Sequence, residues 1–428
     1  MRAVLARALL SALALTGCLR TSDKYCELHG ADDRAHCPLP DAAVGGPCTS
    51  TTDCAATPAT PVCDVPAMMC VACLTGASCL DPGKPVCTTA HVCDGCTKHT
   101  DCPDSLACLP DGSCAATGDV AYVDGTNGAG STCTFTTPCS KVGEGVSTGR
   151  PILKLTGMLD ENVSIMRADP TPLIILADPL ARLFKNNGVV FEVRGASKVE
   201  VYDLHIGTTL STSIGVSMPS GTTGSLKMRR VTVTNQAGGG MRIDDGHFTL
   251  LESSVIENLG GGLEVGFTVA SYDIRNNFII GNGRSNGTVS AFGGAWLQPV
   301  NASGKFQYNT VVGNDDGSTQ IPGVQCNGTS NSAVGNLVAG NAMMVTGSTD
   351  ATQFGGTCMF GNTAKFASAA ALGFRDATGG DYHLTATTPT TILDAAGDCS
   401  AFVTSDVDGD ARPSGPGCDL GADEFVMP

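Results

Sequence analysis

Between residues 186 and 341 the chain repeats itself, and the repeat leaves few folds open. One short run recurs as "GVVFEVRG" at 188, "IGVSMPSG" at 214, "GGMRIDDG" at 239, "GGLEVGF" at 261, "GGAWLQP" at 293 and "PGVQCNG" at 322. A second recurs between them, as "VEVYDLHIG" at 199, "LKMRRVTVTN" at 226, "FTLLESSVIEN" at 248, "YDIRNNFIIGN" at 272, "FQYNTVVGN" at 306 and "AVGNLVAGN" at 333. The units close on Asn235, Asn258, Asn282, Asn314 and Asn341, at separations of 23, 24, 32 and 27 residues. Apolar residues alternate within the runs, and no helical period lies between them. The reading is two strands per unit and a solenoid of stacked β-coils. A single coil buries too few side chains to offset the entropy of ordering it, so the coils must stack. Glycine opens most units because the corner is tight. Asn258, Asn282, Asn314 and Asn341 are expected to stack amide on amide about 4.8 Å apart.

A different economy governs the N-terminal part. Twelve cysteines fall into three units of four: Cys48, Cys54, Cys63, Cys70; then Cys73, Cys79, Cys87, Cys93; then Cys96, Cys102, Cys108, Cys114. Each unit begins C-x5-C, and a CxxC joins it to the next. Large apolar residues are too sparse here for a core, so covalent links must replace one, at about 3 kcal/mol for a loop of about 15 residues. Zinc is the alternative that CxxC raises. Excluding Cys18, the 21 cysteines leave an even 20, which favours disulfides in an oxidising compartment. The pairing within a unit is not readable from spacing.

Cys18 is set apart for another reason. Arg2 and Arg7 precede an apolar run, "ALLSALAL", that ends in Leu15-Thr16-Gly17-Cys18. This is the layout of a secretory leader, too short to span a bilayer. "LTGC" resembles the lipobox of bacterial lipoproteins, which implies acylation of Cys18 and a membrane partner reached through it. Leu19 at the next position implies, under the enterobacterial sorting rule, the outer membrane or cell surface. The expected organisation is a leader at 1–17, an anchor and linker at 18–47 holding Cys26 and Cys37, cysteine repeats at 48–116, a β-helix at 117–366 and a closing segment at 367–428.

The coil repeats resemble the right-handed parallel β-helix of the pectin-lyase-like class, so the expected fold class is all-β. "AYVDGTNGAG", "TPCSKVGEG" and "GMLDENVSI" resemble that class's opening segment. Asp406, Asp408, Gly409, Arg412, Pro413, Gly417, Asp419, Gly421, Ala422 and Glu424 match a closing pattern, D-x-D-G…R-P…G…D-x-G-A-x-E, found on exported bacterial β-helix proteins. The resemblance spans roughly 119–428. It gives the tail the expected task of capping the stack against edge-to-edge growth. The disulfides expected in this part join Cys133 to Cys139, Cys326 to Cys358 and Cys399 to Cys418; Cys26 and Cys37 are the remaining pair.

Parallel coils turn equivalent positions into columns. The outward position of the first run holds Glu192, Ser217, Arg242, Glu264, Trp296 and Gln325; two residues on come Arg194, Asp244, Gln298 and Asn327. Planar polar groups beside the single Trp suit sugar hydroxyls and a sugar face. Glu192, Arg194, Trp296, Gln298, Gln325 and Asn327 are therefore the candidate ligand-binding residues. Asp244 and Glu264, with Arg242 beside them, are the candidates for acid–base work on a glycosidic bond. The plain alternative is a solvated face with charges paired between strands. "RIDDGH" (Arg242, Asp244, Asp245, His247) is the densest polar cluster. The chain lacks the NTD and GHG motifs of polygalacturonases and the calcium carboxylates of pectate lyases. No nucleophile elbow, HExxH or phosphate loop occurs, and no metal site or cofactor is expected; "DVDGD" at 406 leaves calcium open, without the Glu of an EF-hand. The net charge of −16, or −18 without Arg2 and Arg7, disfavours nucleic acid. The expected function is a surface-anchored protein presenting a β-helix to carbohydrate or another cell. A polysaccharide lyase or glycoside hydrolase, and a structural envelope protein, are the alternatives.

Overall fold

A computed structural model describes residues 47–427 apart from 56, 210, 284–291, 300–302, 318–322 and 342–353. Cys18, Cys26 and Cys37 lie outside the described residues. The chain divides into two compact units between Ala115 and Ala116.

The first unit is built from its cysteines. Each group of four pairs first with third and second with fourth: Cys48–Cys63 and Cys54–Cys70, Cys73–Cys87 and Cys79–Cys93, Cys96–Cys108 and Cys102–Cys114. The third and fourth cysteines face each other across a small antiparallel hairpin, as Cys63 faces Cys70, so each side of the hairpin is tied to the segment before it. The core of the first group is the four sulfurs themselves. Asp53 and Asp101 hold the corresponding turns, each accepting the N–H groups of the residues three and four before it. The CxxC pairs that raised zinc are junctions between groups, and all their sulfurs are in disulfides.

The second unit is a right-handed parallel β-helix. Three parallel sheets run its length, with eight, ten and nine strands among the described residues. One coil shows the course: Val189–Val193 in the first sheet, Lys198–Tyr202 in the second, His205–Ile206 in the third, then Ile214–Met218 back in the first. The two strands per unit read from the sequence are thus three. The second run bends where one residue takes left-handed backbone angles: Asp203 (φ 62°), Arg230 (53°), Glu252 (49°), Asn276 (55°), Tyr308 (53°), Gly335 (70°) and Asn362 (44°). The bend is only two residues long and its second residue again points inward. The inward positions step by three across it, from Met228 to Val231 and from Leu250 to Ser253, so the alternation slips by one residue without any gap between the two strands.

Inward side chains form columns along the axis. Phe191, Val216, Met241, Leu263, Ala295, Val324 and Phe354 stack in the first sheet, each buried and in register with the next. Size is balanced between coils. A Cβ at Gly304 would lie 2.1 Å from the ring of Tyr272, its partner in the second sheet, so the glycine makes room for the phenol. Strand Val120–Asp124 pairs parallel with Ile152–Thr156 as the first rung, and helix Val142–Ser147 packs on it, tied by Cys133–Cys139.

Asparagines hold the coils in register. Asn258, Asn282, Asn314 and Asn341 stand in one buried column where the third sheet turns into the first. The backbone N–H and Nδ2 of Asn258 both donate to Oδ1 of Asn282, at 3.0 and 2.9 Å; Asn282 treats Asn314, and Asn314 treats Asn341, in the same way at 2.9 Å. Nδ2 also donates back to a main-chain oxygen of the preceding coil, on Val233, Val255 and Ile279 respectively. Asn235 is not in this column. Gln236 takes the place, its N–H donating to Asn258 Oδ1, while Asn235 occupies the left-handed corner before it. A second ladder, Asn277, Asn309 and Asn336, follows the bend between the second and third sheets with the same bonding.

The closing segment lies along the side of the stack. Asn276 Nδ2 donates to Ser405 O, Ala422 N–H to Thr310 Oγ1, Gly421 N–H to Gly335 O, and Asn362 Nδ2 to Ala396 O. The reason is in the third sheet, where "FII", "TVV" and "LVA" carry apolar residues on both faces. Their outward residues Phe278, Ile280, Val312, Leu337 and Ala339 need cover, and Tyr382, Leu384, Ile392, Leu420 and Ala422 provide it. Cys399–Cys418 closes this segment and Cys326–Cys358 joins two successive coils.

Asn282→Ala would strand the N–H and amide of Asn258 and the oxygen of Val255 in a dry interior. The expected loss in chemical denaturation is about 3 kcal/mol, whereas Asn235→Gly, which keeps the corner's geometry, should lose less than about 1 kcal/mol. Equal losses would remove the ladder's special weight.

Candidate functional site

The polar columns fall on the outer face of the first sheet. Glu192 pairs with Ser217, Ser217 with Arg242, Arg242 with Glu264, Glu264 with Trp296, and Trp296 with Gln325. Arg194, Asp244, Gln298 and Asn327 follow just past the ends of these strands, each donating its N–H to the coil before. Side chains as remote in sequence as Glu192 and Gln325 thus share one strip, with neighbouring coils about 4.8 Å apart.

Three local groups make up the strip. In the first, Arg194 donates to both oxygens of Glu192 at 2.6 and 3.0 Å, and Ser164 Oγ donates to the same carboxylate at 3.2 Å. In the second, Arg242 Nε lies 3.2 Å from Asp244 Oδ1 and 4.0 Å from Glu264 Oε2. Gln298, buried, donates Nε2 to Glu264 Oε1 at 2.8 Å. Burial pushes the Glu264 carboxyl above the usual range; Arg242 and Gln298 oppose this and Asp244 adds to it. The hydrogen bond to Asp244 holds the Arg242 guanidinium firmly charged. In the third, Gln325 Nε2 donates to Asn327 Oδ1 at 3.2 Å, and partly exposed Trp296 leans on Phe292 with ring centres 6.1 Å apart.

Two features of the strip were not legible beforehand. "RIDDGH" is divided by the fold. Arg242 and Asp244 stay on the strip, Asp245 accepts the N–H of Gly221 and Gly246 at the corner, and His247 enters the second sheet against Ser271 Oγ at 2.7 Å. Phe267, two residues beyond Glu264's strand, is 68% exposed beside the strip. The phrase "GF" closing its repeat was the only signal for it.

The other convergence of titratable groups is in the closing segment. His383 Nδ1 meets Asp381 Oδ1 at 2.5 Å, its Nε2 meets Asp408 Oδ2 at 3.0 Å, and the ring stands edge-on to Phe278 at 5.2 Å. Asp423 is close by, and one nitrogen or oxygen each from His383, Asp408 and Asp423 lie within 4.8 Å of one another. Asp408, then Asp381 and Asp423, push the imidazole up to about 9 against the cost of burial. A cation is therefore already in place, the imidazolium. In "DVDGD", Asp406 Oδ1 accepts the N–H groups of Asp408 and Asp410, and Oδ2 that of Glu424. Calcium here would compete with those three donors.

No protein-family model matches this chain, and no curated protein matches it. Among solved structures it is similar to pectate lyase Pel9A, with 15% sequence identity and a TM-score of 0.41, over 72% of this chain and 96% of that one. Among the described residues, no helix is long and apolar enough to cross a membrane.

His383 supplies a pH prediction. Its folded value lies above the free value of about 6.5, so its contribution is complete below about pH 6.5 and disappears as pH rises through about 9. Unfolding free energy should fall by about 2 kcal/mol over that window, allowing for the ring's partial exposure. Denaturant titrations of the wild type and His383→Gln check this; a variant that keeps the full slope would exclude His383 as its source.

Proposed function

We propose that the protein is a lipid-anchored protein of the bacterial outer membrane or cell surface, held through Cys18, whose β-helix binds carbohydrate or a glycan-bearing partner along the first sheet. One observation carries the reading: Arg242, Glu264, Trp296 and Gln325 stand in strict register on four successive coils, with Gln298 and Asn327 beside them. Carboxylates, guanidinium and amides in one strip supply planar donors and acceptors, and Trp296 and Phe267 supply aromatic surface. One exposed and one partly exposed aromatic next to paired polar groups suit a ring with one apolar face and a hydroxyl rim.

Catalysis is the second reading, and Glu264 favours it. A half-buried carboxyl with a raised proton affinity, next to Asp244 across a shared Arg242, has the asymmetry that acid–base pairs need. The comparison with a pectate lyase adds nothing to this at its level of similarity.

Incubating the detergent-solubilised full chain with a glycan array should give binding that Trp296→Ala weakens about tenfold or more. New reducing ends or unsaturated uronides that vanish in Asp244→Ala and Glu264→Ala would replace binding with catalysis. Absence of both would leave an envelope component without a ligand. For the anchor, metabolic acyl labelling should mark the wild type and not Cys18→Ser; equal labelling of the two would remove the lipid tether.

A further inference from the structure

We infer, resting on the saccharide reading above, that the strip takes an uncharged polysaccharide and not a polyuronate. A ligand carboxylate needs a cation whose charge is not already balanced by a neighbouring carboxylate, and the two columns offer none. Arg194 is held in a two-point grip by Glu192, which Ser164 also secures. Arg242 lies between Asp244 and Glu264. The two columns carry three carboxylates, Glu192, Asp244 and Glu264, against these two guanidiniums, and no lysine or histidine. Towards the later coils the polar side chains are all amides, Gln298, Gln325 and Asn327.

A uronate chain would therefore bring anions onto a strip already in carboxylate excess. It would have to share an arginine with Glu192 or Asp244, close to a carboxylate of like charge. Hydroxyls face no such obstacle. A sugar hydroxyl donates to Glu192, Asp244 or Glu264 without breaking their pairings, because each carboxylate oxygen has more than one lone pair. It accepts from amide N–H groups and from outward N–H groups of guanidiniums that are 53% and 54% exposed at Arg194 and Arg242. The pairing that leaves no charge to spare for a ligand anion also holds these planar groups at fixed angles.

The test is isothermal titration of the detergent-solubilised full chain with matched-length xylo-, cello- and manno-oligosaccharides against oligogalacturonate. Each is run with EDTA and again with added calcium, since calcium could bridge two carboxylates. At least one neutral series should bind about tenfold or more tighter than oligogalacturonate in both conditions. Equal or tighter binding of oligogalacturonate in either condition overturns the neutral class and leaves the saccharide reading standing. No binding in any series overturns both. Glu192→Gln releases Arg194 and should shift the ratio of affinities towards oligogalacturonate by about tenfold; an unchanged ratio counts against the charge argument itself.

Discussion

Everything in the second unit depends on backbone ladders that join each coil only to its neighbours. A coil has no interior of its own large enough to stand alone. Its strands become stable when their N–H and C=O groups bond to the coils before and after, and the two asparagine columns make that pairing specific. An Oδ1 that accepts both a backbone N–H and an amide N–H from the preceding coil fixes which residue lies above which. A slip of one position would leave several buried polar groups without partners. The 32-residue separation from Asn282 to Asn314 shows the effect: this unit is longer than its neighbours, and the asparagines still meet.

Fixed register is also what creates a surface with chemical character. Outward residues on successive coils become neighbours, so the first sheet gathers an aromatic ring, amides and paired charges into a strip. The third sheet is treated differently. Its later strands are apolar outward as well as inward, and the closing segment lies across them. The same segment carries a buried Arg412, whose Nη2 donates to Gly421 O and whose guanidinium lies over the ring of Tyr308. Burial lowers the Arg412 proton affinity while the surrounding acids oppose the shift, and Asp406, Asp419, Asp423 and Glu424 are each raised by burial in turn. One side of the solenoid is thus covered by its own chain.

The first unit solves the stability problem by other means. Its hairpins are two or three residues long, and its cross-links close loops of 12 to 16 residues. Each group of four cysteines is a closed set, so the unit extends by adding groups and not by enlarging a core. The β-helix extends in the same modular sense, with hydrogen-bond ladders where the first unit has sulfur.

The amino-acid sequence by itself determined the solenoid, the approximate length of each coil, the inward and outward faces of the first sheet and the membership of the main asparagine column. All of these follow from local periodicity, which survives in one dimension. It also put Glu192, Arg242, Glu264 and Trp296 in a column, because equal positions in a repeat stack whatever their identity. The third sheet stayed hidden because a two-residue bend leaves no loop between the strands, only a one-residue slip in the alternation. The second asparagine ladder was visible only as the pairs Asn277/Asn282, Asn309/Asn314 and Asn336/Asn341. Tertiary structure alone decided the cysteine pairing, the division of "RIDDGH" between two sheets, the place of Phe267 beside the strip and the lateral seat of the closing segment. Those outcomes depend on distances between residues remote along the chain, and spacing carries no record of such distances.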